Sequence, residues 1–263
     1  MVRVGVNGAA GRMGRRIVAL VAEQKNLQVV CALERPGHPD LGKDAGLLAG
    51  IQELGVKVGE GVQGSPQVLI DFSVPESTMR RAAEAASRGV GLVIGTTGLS
   101  DEQLARIKRE VASKVPVLMA PNMSIGMNVL FRVAGQVAAA LGEGYDIEIV
   151  EMHHRRKKDA PSGTALRLAE GICEAVSWSP KDVLIYGREG ITGERPGRQI
   201  AVLAVRGGDV AGDHTVIFAG EGERIELTHR ASNRDVFAHG AIRAARFIAG
   251  KPPGLYGMKD VLA

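Results

Sequence analysis

Five strand-length apolar runs mark out residues 2–122: VRVGVNG, LQVVCALE, QVLIDFS, VGLVIGTTG and VPVLMAPN. Three of the four gaps between them carry a helical pattern, the first from about Arg12 to Gln24. QVLIDFS is apolar almost without interruption, the texture of a strand covered on both faces. Before VGLVIGTTG, the segment PESTMRRAAEAASRG places Pro75 where a first helical turn tolerates it and Gly89 where a helix stops. Ser100 and Gln103 stand at capping-box spacing at the head of SDEQLARIKREVASK. Strands alternating with helices of this length predict an α/β architecture built on a parallel, doubly wound sheet.

After Asn122 the texture changes. IGMNVLFRVAGQVAAALG has helical spacing, YDIEIVEMHH alternates like a half-buried strand, and a further helix is expected from about Thr164 to Val176. RQIAVLAVR, DHTVIFAG and ERIELTHRA, separated by GGDVAG and GEG, predict antiparallel hairpins. A final helix, VFAHGAIRAARFIAG, is expected to return to the first lobe, ahead of a Pro-Pro-Gly tail. The expected division is therefore a dinucleotide-binding domain over 1–124, completed by 235–263, and a substrate domain over 125–234. One helix layer covers one face of the second sheet, which leaves the other for oligomer formation.

Several function classes lose support from composition. Aromatic residues are only 3% of the chain, too few for base-stacking platforms, and the net charge of +4 favours anionic ligands only slightly. No apolar run approaches the ~18 residues of a membrane span, and no signal segment is apparent. The two cysteines, Cys31 and Cys173, form no motif. The expectation is a cytoplasmic protein that uses neither membrane nor nucleic acid.

Gly8, Gly11 and Gly14 stand at G-x-x-G-x-x-G spacing between the first strand and the first helix. A pyrophosphate must approach backbone N–H groups at a helix N-terminus, where side chains would obstruct it and the dipole favours an anion. Glu34 ends the second strand 20 residues after Gly14, where a dinucleotide-binding unit places a carboxylate on the ribose hydroxyls. Arg35 follows it, and Arg12 lies within the glycine loop; both could hold a 2′-phosphate. NADH and NADPH are therefore both candidate cofactors. GTTG (95–98) and APNMS (120–124) follow later strands of the same sheet and are placed to line the nicotinamide half, with Thr96, Thr97 and Asn122 as hydrogen-bonding groups.

The segment EMHHRRKKDAPSGTA (151–165) holds six consecutive residues able to carry positive charge, His153 to Lys158. It could be a solvated loop, a nucleic-acid patch, a metal site or a catalytic loop. No metal-ligand spacing is present, so the expected metal set is none, and RRKK lacks a wider basic footprint. Ser162, Gly163 and Thr164 can open the next helix with exposed amides beside Lys and His, an arrangement that binds carboxylates. Histidine can exchange a proton near neutral pH. An acidic substrate that needs protonation fits this chemistry, with a solvated loop as the alternative.

GAAGRMG, GTTG, APNMS, EMHHRRKKDAPSGTA, VRGGDVAGDHTVIF and HRASNR together resemble the 4-hydroxy-tetrahydrodipicolinate (dihydrodipicolinate) reductase family of lysine and diaminopimelate synthesis, over nearly the whole chain. The resemblance implies a Rossmann-type cofactor domain with an α+β substrate domain containing a mixed, largely antiparallel sheet, and a homotetramer formed through that sheet. It implies NAD(P)H-dependent reduction of a cyclic dicarboxylate. By matching position, His153 and Lys157 become the proton-handling residues, and His154, Ser162, Gly163, Thr164 and Arg234 the substrate contacts. Cofactor contacts fall on Gly8, Ala9, Ala10, Gly11, Arg12, Met13, Glu34, Arg35, Gly95, Thr96, Thr97, Ala120, Pro121, Asn122 and Met123. Another two-domain dehydrogenase acting on aspartate or a sugar, and a non-catalytic NAD-sensing regulator, stand as rivals.

Overall fold

In the computed structural model, which describes residues 1–263, the chain divides into two compact units: Met1–Ile125 with Asp235–Ala263, and Gly126–Arg234. The elements run β1 (Val2–Asn7), α1 (Arg12–Ala22), β2 (Leu27–Leu33), α2 (Ala45–Leu48), β3 (Val58–Gly59), β4 (Val68–Asp71), α3 (Pro75–Arg88), β5 (Gly91–Ile94), α4 (Asp101–Arg106) and β6 (Pro116–Met119). Then come α5 (Ile125–Leu141), β7 (Asp146–His153), α6 (Gly163–Val176), α7 (Pro180–Val183), β8 (Leu184–Ile185), β9 (Ile200–Arg206), β10 (Gly212–Ala219) and β11 (Arg224–Ala231). The chain closes with α8 (Asp235–Ile248), β12 (Gly254–Tyr256) and α9 (Met258–Val261).

The first unit is a seven-stranded sheet in the order β12-β6-β5-β4-β1-β2-β3, parallel at every pairing. Every residue of β4 and β5 is buried, because helices cover both faces. On one side Ile17, Val18 and Val21 of α1 meet Ala241, Ala245 and Ile248 of α8. On the other, Ala82 and Ala85 of α3 pack with Ile107 and Val111 against Leu69 and Leu92. The final helix thus packs on the first unit, and Arg16 forks onto Asp235 with two bonds of 2.8 Å. The capping box forms: Ser100 and Gln103 bond each other's backbone. α3 ends at Gly89 with φ 70°, the left-handed conformation that glycine adopts without a Cβ penalty. The expected Pro-Pro-Gly tail does more than trail, since residues 254–256 add the edge strand β12 to β6.

Strand order reverses around β1, which lies between β2 and β4. The loops after β1 and β4 therefore leave the sheet at its topological switch point, where open α/β sheets bind ligands. Gly8 permits this meeting: its φ is +77°, and a Cβ there would lie 2.7 Å from the Phe72 carbonyl oxygen.

The second unit holds a five-stranded mixed sheet, β11-β10-β7-β9-β8. β10 is antiparallel to both β7 and β11, while β9 is parallel to β7 and β8. Only the hairpin across GEG forms as expected. β9 and β10 do not pair, because β7 lies between them and the segment joining them crosses its end. That crossing is stitched down by the backbone: His154 N donates to Val210 O at 2.8 Å, Arg155 N to Gly208 O at 3.2 Å, and Gly207 N to His153 O at 3.0 Å. One sheet face is apolar, with Ile149, Val202, Val216 and Phe218 meeting Ala134 of α5 and Leu168 and Ile172 of α6.

α5 departs from expectation in one respect. Ile125–Gly144 has the length and apolarity of a membrane span, with a mean hydropathy of 1.3. Asn128, Arg132 and Gln136 interrupt the stretch, so it holds no long contiguous apolar run. Its Met127, Leu130, Ala134 and Ala138 belong to the second core.

Candidate active site

In the first unit the glycine loop builds a shape suited to a dinucleotide. α1 begins at a glycine N-cap, Gly11, and no side chain caps its amides. Gly14 brings helix and loop together: a Cβ there would fall 2.0 Å from Gly8 O and 2.7 Å from Ala9 Cα. At Gly11 a Cβ would meet only Gly8 O, at 3.1 Å. A cavity of about 340 Å³ opens beside this loop, lined among others by Gly8, Ala10, Gly11, Glu34, Arg35 and His38. Glu34 Oε1 accepts a hydrogen bond from Ala10 N at 3.0 Å, so the carboxylate faces the glycine loop from the end of β2. An uncapped helix N-terminus of 11 residues, a glycine cradle and an acid at the second strand fit a dinucleotide.

The other residues expected to contact the cofactor divide between exposed and buried positions. Arg12, Arg35, Thr97 and Pro121 are exposed, while Ala9, Thr96, Ala120 and Met123 are buried. Gly95 and Asn122 are half-buried, as is Met13, which packs against the core. The Thr96 hydroxyl accepts from Ser73 N at 3.0 Å, and Asn122 Oδ1 from Ser124 N at 2.9 Å, so both shape the loops that follow their strands. A polar cluster lies beneath: buried Asn7 donates to Asp71 at 2.8 Å and to the Ser73 and Ser77 hydroxyls. Burial pushes the Asp71 carboxyl above the usual carboxylate range, against the hydrogen bonds of Ser73 and Asn7.

In the second unit the alternation of β7 places Glu151 and His153 on the same buried face, continuing Ile147 and Ile149. Glu151 is wholly buried. Its carboxylate accepts four bonds: from Arg206 at 2.8 and 2.7 Å, from Ser162 N at 2.9 Å, and from His153 Nδ1 at 2.6 Å. Burial pushes that carboxyl up, but the Arg206 fork, the His153 ring and the Ser162 amide outweigh it and hold it below its ordinary range. His153 is driven below the usual histidine value by burial, against the upward pull of Glu151. Gly212 leaves the ring room, since a Cβ there would lie 2.9 Å from its Nε2. His214, edge-on to His153 at 5.2 Å, is pushed down to about 3 by burial and by its neighbour's charge.

Ser162 caps α6, its hydroxyl accepting from Ala165 N at 3.1 Å and lying 3.4 Å from His214 Nε2. Gly163 and Thr164 form the first turn of that helix. Lys157 pairs with Asp159 at 3.0 Å in the preceding loop. His154 lies just past the end of β7, with its Nδ1 buried and unpartnered. The fold thus gathers His153, His154, Lys157, Ser162, Gly163 and Thr164 around one strand end and one helix start. Arg234 is exposed in the turn after β11, three residues beyond Ala231, which pairs with Gly212. Sequence reasoning passed over Glu151, Arg206 and His214. A signal for Glu151 was available, for it stands two residues before His153 in an alternating strand and so shares its face. Arg206 and His214 required the register, in which Arg206 partners His153 and His214 partners Glu151.

Residues 2–123 match the family described as dihydrodipicolinate reductase, N-terminus, and residues 126–262 match dihydrodipicolinate reductase, C-terminus. A 4-hydroxy-tetrahydrodipicolinate reductase from Anaeromyxobacter sp. (strain Fw109-5) is 56% identical, covering 100% of this chain and 98% of its own. One from Geotalea daltonii is 49% identical, covering 100% and 99%. Among solved structures, a dipicolinate-bound dihydrodipicolinate reductase from Paenisporosarcina sp. TG-14 matches with a TM-score of 0.78 at 29% identity, over 99% of both chains. A probable dehydrogenase from Thermotoga maritima reaches a TM-score of 0.61 at 11% identity over 99% and 93%, a likeness of fold alone.

Proposed function

The chain belongs to the dihydrodipicolinate reductase family, and from that premise we propose how its residues divide the work. The reaction is the nicotinamide-dependent reduction of 4-hydroxy-tetrahydrodipicolinate in lysine and diaminopimelate biosynthesis. When bound, the nucleotide supplies the hydride. The backbone from Gly8 to Met13 holds its pyrophosphate and Glu34 its ribose hydroxyls; Arg35, Gly95, Thr96, Thr97 and residues 120–123 shape the rest of the binding surface. His154, Ser162, the first turn of α6 at Gly163 and Thr164, and Arg234 hold the two substrate carboxylates. The 4-hydroxyl leaves as water, and the dehydrated ring takes the hydride at that carbon; Lys157 and His153 deliver the proton that reaches the adjacent ring carbon, giving tetrahydrodipicolinate. Orientation and electrostatic stabilisation of the enamine-like intermediate supply the main gain in rate.

The single observation that carries this reading is the buried Glu151–His153 pair beside the start of α6, in the same loop system as Lys157. The direct test supplies NADH and the freshly formed product of the preceding condensation step. Loss of nicotinamide absorbance is expected. Confirmed cofactor binding without turnover, together with turnover of aspartate or a polyol, would overturn it in favour of another two-domain dehydrogenase.

Both NADH and NADPH serve, since Glu34 suits a free 2′-hydroxyl and Arg35 beside it suits a 2′-phosphate. The enzyme works in the cytoplasm, consistent with two buried, unpaired cysteines. It assembles as a homotetramer through the second sheet, where Val205 and Ile225 are large exposed apolar residues. Light scattering at micromolar concentration checks this, and a monomeric mass would refute it.

A further inference from the structure

We propose that Glu151, clamped by Arg206, is a positioning residue that fixes the tautomer and ring orientation of His153, so that Nε2 is the nitrogen that exchanges the proton. This rests on the reading of His153 as a proton-handling residue.

Each oxygen of Glu151 receives two donors. Oε1 takes Ser162 N and one Arg206 nitrogen, and Oε2 takes the other Arg206 nitrogen and His153 Nδ1. A guanidinium and a backbone amide can only donate, so they hold the group as a carboxylate. At 2.6 Å from that carboxylate, Nδ1 carries the hydrogen. The neutral ring then keeps Nε2 bare, and the charged ring has Nε2–H to give. A buried ion pair is weak evidence for stability, since an apolar group of similar volume often serves as well. A carboxylate two residues before the histidine, on the same strand face and saturated with donors, therefore points to the histidine as its purpose.

Arg206 extends the same control to the second proton donor. Its Nη2 also donates to Asp159 O at 2.7 Å, and the Asp159 side chain holds Lys157 at 3.0 Å. The backbone bonds from the segment after Arg206 to residues 153–155 keep this end of β7 in place. Arg206 thus ties strand, crossing segment and Lys157 loop to one carboxylate.

The charged and titratable groups facing His153 are Glu151 on β7, Lys157 and Asp159 in the next loop, Arg206 on β9 and His214 on β10. Glu151 favours the protonated ring, while Arg206 and Lys157 oppose it. The two halves of the clamp therefore act with opposite sign. In kcat/KM against pH, measured with NADH on the intact enzyme, the basic limb of Glu151→Gln is expected about one pH unit lower and that of Arg206→Gln higher. A merely structural role predicts lower amplitude in both variants with the limb unmoved. That outcome, with the limb abolished in His153→Asn, would overturn this inference and leave the His153 reading intact. A limb that survives in His153→Asn would instead remove His153 from the proton path, and this inference with it. Should Glu151→Gln fail to fold, ¹⁵N-histidine spectra of the wild-type enzyme decide the matter. The neutral His153 ring is expected to be protonated at Nδ1, and protonation at Nε2 would refute the proposal.

Discussion

At the scale of single residues, Lys157 and His153 differ in how the fold treats them. His153 lies in a buried strand end with its Nδ1 committed, whereas Lys157 is a part-exposed side chain whose partner, Asp159, is itself exposed. Lys157 can therefore be removed without leaving a buried charge behind. Lys157→Ala is expected to fold normally and to lose ~10²-fold or more in kcat, the ordinary range for acid–base groups; near-wild-type turnover would exclude the role. The glycine loop allows a sharper contrast. Gly14→Ala forces a Cβ into backbone at 2.0 Å, which should cost about 1–3 kcal/mol as overpacking and shift the denaturant midpoint. Gly11→Ala meets only one oxygen at 3.1 Å, so it should keep its stability and weaken NADH binding, as calorimetric titration would show. Equal stability loss in both would contradict this division. The close-packed shape of this loop was legible in the sequence because strand, loop and helix are contiguous there. The clamp around Glu151 was not, since Arg206 lies 55 residues away and reaches it only through strand register.

At the scale of elements, α6 joins local sequence to the site. Ser162 caps it through its hydroxyl, and its own amide bonds Glu151, so helix start and buried carboxylate are positioned together. Ser162→Ala removes the cap but keeps the amide. A loss of about 1 kcal/mol is expected from denaturant melts, with KM raised more than kcat is lowered; an unchanged KM would separate the cap from substrate binding. Helices and parallel strands were readable from the sequence because their signals are local: apolar period, Pro75, Gly89 and the Ser100–Gln103 box. Pairing was less so. DHTVIFAG and ERIELTHRA formed their hairpin because a short turn leaves few alternatives. RQIAVLAVR did not pair with DHTVIFAG, because β7, contributed by residues 146–153, fills the place between them. Strand periodicity records which residues face a core and carries no record of which strand arrives as neighbour. β12 is illegible in the sequence for a related reason, since three residues hold no period.

At the scale of the whole molecule, the histidines are unevenly distributed in their energetics. The three held below the ordinary histidine value, His153, His214 and His229, all lie in the second unit, each depressed first by burial. For such a group the unfolded chain binds more protons than the folded one between the two values. Stability is therefore full above the ordinary value of 6.5 and falls as pH drops below it. His214, at about 3, continues to lose stability over the whole window down to that value, by at most about 1.4 kcal/mol per pH unit. The depressed carboxylates of both units, such as Glu84 and Glu151, begin to matter only near and below their ordinary 4.5. Asp71 in the first unit has the opposite sign. Its raised value means that the folded state holds the proton more tightly, so acidification relieves a cost there. Acidification of the cofactor-free protein from about pH 7 to about pH 5 should therefore lower the melting temperature of the second unit and leave the first nearly in place, so that calorimetry resolves two transitions. His214→Asn lowers the second unit's melting temperature at both pH values through lost packing, but should shrink its shift between them, because the buried titrating ring is gone. Melting that is unchanged between the two pH values, or that falls equally in both units, would show that buried histidines do not govern the acid response of this fold.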